Sequence, residues 1–191
     1  GAYIKENSQF NIYKLKVSNI ESLDLLKEVV KHTDKKIRID ANEGFTSLAS
    51  YLEFEEEVKD FNIEFIEQPF PTSHIEEYFE LRKCTRFEIM ADESLLEDFN
   101  GDKFVKMFHG INVKNMKSRG LENSKRLLLK ARKFGLKTMV GCMIESSLGI
   151  SEAMSLVSLC DYVDLDGALL VKNDPYANLI TLENGKLSLG S

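Results

Sequence analysis

An α/β fold of the (β/α)8, TIM-type barrel class is predicted by three features of the sequence. Short β-rich runs alternate with longer amphipathic stretches from end to end, the apolar residues of those stretches recur at spacings of three and four, and at least one helix passes into the next strand with a single residue between them. Alternation of this kind is the signature of βα units and a parallel sheet.

Seven strands are expected: FNIYKLKV from Phe10, KIRIDA from Lys36, IEFIEQ from Ile63, FEIMAD from Phe87, GINVKN from Gly110, LKTMVG from Leu136 and YVDLD from Tyr162. Helical patterns lie between them, at ESLDLLKEVVKH, SLASYLEFEEEVKDF, HIEEYFELRKC, NSKRLLLKARKFG and ISEAMSLVSLC. In the fourth of these, Leu127, Leu128, Ala131 and Phe134 share one face that can pack on a sheet. Gly135 then stands where a left-handed C-cap residue is expected, and Leu136 starts the next strand.

A closed barrel typically takes about 250 residues and rarely fewer than 200. The chain has 191. The first strand is therefore expected to be missing, and AYIKENSQF reads as the end of the first unit's helix. Residues 1–191 are expected to form one barrel domain, incomplete at its N-terminus, whose two open strand edges need covering.

Composition narrows the function classes. With 43% hydrophobic residues the chain can bury a sizeable core. Lys and Arg number 25 against 31 Asp and Glu, a formal charge of -6, and the basic residues are dispersed, so nucleic acid is excluded as an expected partner. No apolar run approaches the roughly 20 residues that cross a bilayer, and the opening lacks a signal-peptide pattern, so a soluble protein is expected. Cys84, Cys142 and Cys160 are odd in number and form no CxxC pair, which favours a reducing, cytoplasmic setting. His32, His74 and His109 lack the spacing of a helical metal site.

The candidate chemistry is carried by charges on strands. Tyr13, Leu15 and Val17 share one strand face, which sends Lys14 and Lys16 to the other, toward a barrel interior where unpaired charge is costly. An edge strand with its lysines in water is the alternative. Asp40, Glu67 and Asp92 then close three successive strands about one βα unit apart, at the rim where barrel enzymes place their active sites. Each acid alone could be a helix cap. Together they repel by about 4 kcal/mol per close pair at an effective dielectric near 20, which calls for a cation. Oxygen ligands without His or Cys favour Mg²⁺.

Lys114 ends the following strand with Asn112 on its face, so lysines bracket the three acids in the strand order. A carboxylate held on the metal would offer its α-carbon to one lysine on each side, with the charge of the resulting enediolate stabilised by the ion. Asp164 and Asp166, in DLDG, share a face of the last strand and could receive a substrate ammonium group; a turn at Asp166-Gly167 is the competing reading.

KLK at 14 to 16, RIDAN at 38 to 42, IEQP at 66 to 69, ADES at 91 to 94 and INVKNMK at 111 to 117 resemble the muconate-cycloisomerase subgroup of the enolase superfamily. CMIES at 142 to 146 and DLDG at 164 to 167 are similar to the dipeptide epimerases, of which the L-Ala-D/L-Glu epimerases are the best-known members. The resemblance implies Lys16 and Lys114 as the acid/base pair, Lys14 as their electrostatic companion, Asp40, Glu67 and Asp92 as Mg²⁺ ligands, and Asp164 and Asp166 as the holders of a dipeptide ammonium. Asn42 and Glu93 are implied as supports that orient ligands or lysines. Family members carry an N-terminal capping domain over the barrel mouth, which residues 1–191 are not expected to include. Arg119 stands where a glycine is common, either adding charge at the rim or facing solvent.

The activity so implied is Mg²⁺-dependent epimerisation at the C-terminal residue of a dipeptide. Cycloisomerisation or β-elimination of the o-succinylbenzoate-synthase kind uses the same machinery, but its substrates bring no ammonium to Asp164 and Asp166. A catalytically incomplete barrel fragment is the third reading. Homo-oligomers are common in the resembling family, though no residue here marks an interface.

Overall fold

The computed structural model describes residues 2–190. Contacts gather them into two compact units, one reaching to Ser94 and including Lys106–His109, the other formed by Leu95–Val105 and the chain from Gly110 onward.

The first unit runs α1 (Ala2–Glu6), β1 (Ile12–Lys16), α2 (Leu23–Val30), β2 (Lys36–Asp40), α3 (Leu48–Val58), β3 (Ile63–Glu67), α4 (Ile75–Cys84) and β4 (Ile89–Ala91). Its four strands pair in chain order and all pairings are parallel. In β2, Ile37 and Ile39 are buried on one face and Arg38 and Asp40 on the other, the both-faces burial of a parallel sheet. Arg38 manages its interior position by lying 5.1 Å over the Phe65 ring and by donating from Nε to Glu64 at 2.7 Å. A register shift between Ile37 and Arg38 makes room for Glu64 to reach it.

The core of this unit is aromatic. Phe45, Tyr51, Phe54, Phe70 and Tyr78 are all buried, with ring centroids 5.1 Å apart for Phe45 and Phe54 and 5.3 Å for Phe70 and Tyr78. Each such side chain contributes about 1.5–3 kcal/mol by burial, and each ring pair about 0.5–1.5 kcal/mol more. Phe45 and Phe70 lie a few residues past β2 and β3, so the cluster anchors the loops that leave those strands.

The second unit runs α5 (Gly101–Phe104), β5 (Gly110–Lys114), α6 (Leu121–Lys133), β6 (Lys137–Gly141), α7 (Ser147–Met154), β7 (Tyr162–Asp164) and a hairpin of β8 (Ile180–Glu183) and β9 (Lys186–Leu189). Strands β5, β6 and β7 pair parallel in order, and β8 pairs antiparallel with β9. Leu127, Leu128 and Ala131 of α6 are fully buried, as the spacing predicts, against a helix whose last turn carries Lys130, Arg132 and Lys133 to complement its dipole. Phe134 departs from that prediction. It caps the helix at 39% exposure and covers Gly101 instead of the sheet. Gly135 has φ 73, the left-handed cap expected of it.

All seven predicted strands are present, trimmed at their ends. ISEAMSLVSLC is corrected: α7 starts earlier, at Ser147, and stops at Met154, with a separate 3-10 turn at Val157–Leu159. The hairpin was missed although Asn184 and Gly185, at φ 52 and φ 74, are the usual two-residue signal for one. Among the described residues no helix is long and apolar enough to cross a membrane.

Candidate active site

In the first unit, Lys16 pairs with Asp40 and Asp40 with Glu67 as Cα partners across three strands. Partners in parallel strands send their side chains the same way, so these three share one face at the strands' C-terminal ends. Lys14 lies two residues earlier on that face. Its ammonium stands 3.1 Å from Asp40 Oδ2 and 3.0 Å from Glu67 Oε2, which removes the solvent-facing reading of Lys14. Asp40 and Glu67 are 5% and 0% exposed, so the ammonium offsets charge that the interior would otherwise not tolerate. Lys16, further toward the strand end, is exposed.

Glu67 pairs with Met90, so Asp92 lies two residues beyond that level, just past the end of β4, buried to 3% exposure. The backbone beyond the strands stays laddered: Ala41 N–H donates to Glu67 O at 2.9 Å and Gln68 N–H to Met90 O at 2.9 Å. Glu93 is half-buried and receives Asn42 Nδ2 at 3.4 Å. Burial, and then the neighbouring charges of Asp92 and Asp40, raise the Glu93 carboxyl above its ordinary value. Asn42, Glu43 and Gln68 take positive φ of 43, 61 and 41, so backbone strain concentrates where β2 and β3 release the chain.

These groups fit a hard divalent cation. Asp40 Oδ1 and Glu93 Oε2 are buried oxygens that accept no hydrogen bond, and an acceptor left so costs about 1–3 kcal/mol unless something charged or polar meets it. The donors are oxygens throughout. Among the described residues no three His, Cys, Asp or Glu side chains stand as a ready-made metal cluster. Lys14 supplies the positive charge between Asp40 and Glu67.

The second unit builds its own row. Lys114 pairs with Gly141, and Gly141 with Asp164, so the lysine and the carboxylate face the same way across a residue with no side chain. A Cβ on Gly141 would meet Asn112 Oδ1 at 2.5 Å, so glycine is what leaves room for the Asn112 amide, 1% exposed, between the strands. Lys114 is 9% exposed, Asp164 half-buried and Asp166 exposed. Asp166 begins the 3-10 turn Gly167–Leu170, and the Gly167 N–H donates to Cys142 Sγ at 3.3 Å. Burial, and then the charges of Asp164 and Asp166, push the Cys142 thiol up to about 12. Arg119 resolves toward solvent: it holds φ 60 in a place suited to glycine, and its guanidinium meets Glu97 at 2.6 Å on the surface.

Sequence reasoning gave no role to Gln68, Gly141 or Cys142. Gln68 was visible only as a letter inside IEQP, Cys142 only within CMIES and as one of three unpaired cysteines, and Gly141 only as the end of a strand.

Parallel strands in βα order whose ends carry carboxylates and lysines define the chain as a barrel-type domain. The chain belongs to the enolase C-terminal domain-like family, whose model matches residues 2–187. It is 41% identical over 177 residues to an L-Ala-D/L-amino acid epimerase of Flavobacterium johnsoniae, covering 93% of this chain and 52% of that protein. Among solved structures it is similar to a dipeptide epimerase from Methylococcus capsulatus complexed with Mg ion, at TM-score 0.86 and 29% identity over 98% of this chain and 57% of that one. A dipeptide epimerase from Cytophaga hutchinsonii, complexed with Mg and D-Ala-L-Val, gives TM-score 0.88 and 26% identity over 98% of this chain and 54% of that one. The fold class is thus a partial (β/α)8 barrel of the enolase superfamily. The chain spans about half the length of the curated relatives it matches.

Proposed function

We propose that the protein to which this chain belongs is a Mg²⁺-dependent dipeptide epimerase. The carrying observation is the placement of Lys16, Asp40 and Glu67 in one register row, with the Lys14 ammonium on both carboxylates. Asp40, Glu67 and Asp92 would hold the cation, and the bound ion would bind the substrate carboxylate and stabilise the charge that develops on it.

Lys16 and Lys114 serve as the acid/base pair. One takes the proton from the α-carbon of the dipeptide's C-terminal residue, and the other returns a proton from its ammonium to the opposite face of that carbon. Lys14 keeps positive charge beside the acids, while Asn42 and Glu93 support the loop residues around them. Asp164 and Asp166 take the dipeptide ammonium; their shared charge, which already acts on Cys142, supports that role. Their presence favours an amine-bearing substrate over those of cycloisomerases. The protein works in the cytoplasm on a small-molecule substrate, with residues 1–191 forming an enolase-like barrel domain.

Incubation of the intact protein with Mg²⁺ and a dipeptide library in D₂O tests the assignment. Deuterium is expected at the α-carbon of the C-terminal residue, with Lys16→Met and Lys114→Met each losing exchange from one epimer first. No deuterium in any dipeptide would end the proposal.

A further inference from the structure

The loop bearing Asp92 is held by a side chain to which the proposed chemistry gives no part. Gln68 follows Glu67 directly, is 0% exposed and sits at φ 41, in the left-handed region that strains a non-glycine residue. Its amide compensates with a dense set of contacts. Oε1 accepts the backbone N–H of Asp92 and of Ser94, each at 3.0 Å. Nε2 shares its two N–H groups among three acceptors, Phe70 O at 3.1 Å, the Tyr78 hydroxyl at 2.7 Å and Ser94 Oγ at 2.8 Å. Tyr78 in turn donates to Phe70 O and accepts the Phe70 N–H at 3.0 Å, which ties the amide into the aromatic core.

The backbone geometry explains why such a clamp is needed. Strand β4 ends at Ala91, so Asp92 and Ser94 have left the ladder that fixes Asp40 and Glu67. A ligand on a loop reaches the precision of a strand only if its backbone is pinned. We infer that Gln68 is a positioning residue for the cation site: through its Oε1 it fixes the Asp92 backbone, and so the Asp92 carboxylate, relative to Glu67 one residue before it. The inference rests on the Mg²⁺ reading above.

The test uses the intact protein and Mn²⁺ as the probe, with binding read by electron paramagnetic resonance and stability by melting without metal. Gln68→Met, which loses both acceptor bonds, is expected to weaken Mn²⁺ about tenfold or more. Gln68→Glu keeps the acceptor oxygen for Asp92 and Ser94 and is expected to recover most of that loss. Tyr78→Phe removes the phenol but leaves Gln68 on Asp92, so it should lower the melting temperature and leave Mn²⁺ affinity within about threefold.

Unchanged Mn²⁺ affinity in Gln68→Met, or equal affinity losses in Gln68→Met and Tyr78→Phe at matched stability, would overturn the role. Should Gln68→Met not fold, amide exchange on the unaltered protein decides: slow exchange at Asp92 and Ser94 supports the clamp, and exchange at the unprotected rate refutes it. Failure of the unaltered protein to bind Mn²⁺ is a different result, which removes the metal reading itself and the role that depends on it.

Discussion

The Lys14 ammonium lies 3.0 Å from the carboxylate of Glu67, a residue with no solvent exposure, and 3.1 Å from that of Asp40. Breaking a buried pair by removing one partner costs about 3–5 kcal/mol, less where the pair is partly wet. Lys14 retains 25% side-chain exposure, so Lys14→Met is expected to destabilise the protein by about 2–4 kcal/mol without metal. Mg²⁺ should then raise the melting temperature of Lys14→Met by more than that of the unaltered protein. Equal shifts would show that the cation and Lys14 do not neutralise the same carboxylates.

A pH dependence comes from His109. Its Nδ1 accepts the Ile89 N–H at 3.0 Å, and burial, with Arg82 nearby, pushes the imidazole down to about 4 from its ordinary 6.5. The folded protein therefore keeps His109 neutral at pH values where the unfolded chain has bound a proton. That contribution is complete above pH 6.5 and is lost as pH falls toward 4, by about 2–4 kcal/mol in all. Denaturant melts between these limits should show the fall, and His109→Asn should lack it.

Glu55 supplies a prediction about the core. This carboxylate is 3% exposed, accepts the Thr85 hydroxyl at 2.6 Å and the Arg86 N–H at 3.1 Å, and so joins α3 to the α4–β4 joint. Glu55→Ala leaves two part-buried donors without this acceptor and should cost about 1–3 kcal/mol by chemical denaturation. Glu55→Gln, which keeps one acceptor, should cost about half as much.

Gly141 separates Lys114 from Asp164 in the second unit. The Cβ of Gly141→Ala would stand 2.5 Å from Asn112 Oδ1, so the amide must shift at a cost of about 1–3 kcal/mol. Because Asn112 shares the Lys114 face, proton exchange on a dipeptide should fall by more than stability alone accounts for. A matched series of melts and exchange rates at a temperature where both proteins are folded would check this.

Much of the candidate site was legible because charged residues on its strands conflict with burial. Lysines alternating with apolar residues in IYKLK, and acids ending KIRID and IEFIE, break the pattern a strand needs to pack, and such breaks mark places where charge is used. Helices with a wide apolar stripe, such as α2 and α6, were equally plain. The four residues of α5 were not, since one turn carries no period.

The order of strands and helices, the face on which each charged residue stands and the class of metal those oxygens favour were determined by the amino-acid sequence, because alternation and helical periodicity are local properties of the chain. Only the tertiary structure decided that Lys14 pairs with Asp40 and Glu67, that Gln68 grips the Asp92 backbone and that Gly141 makes room for Asn112. Those relations join residues from different strands and loops. Their distances depend on sheet register and loop packing, which no local pattern encodes.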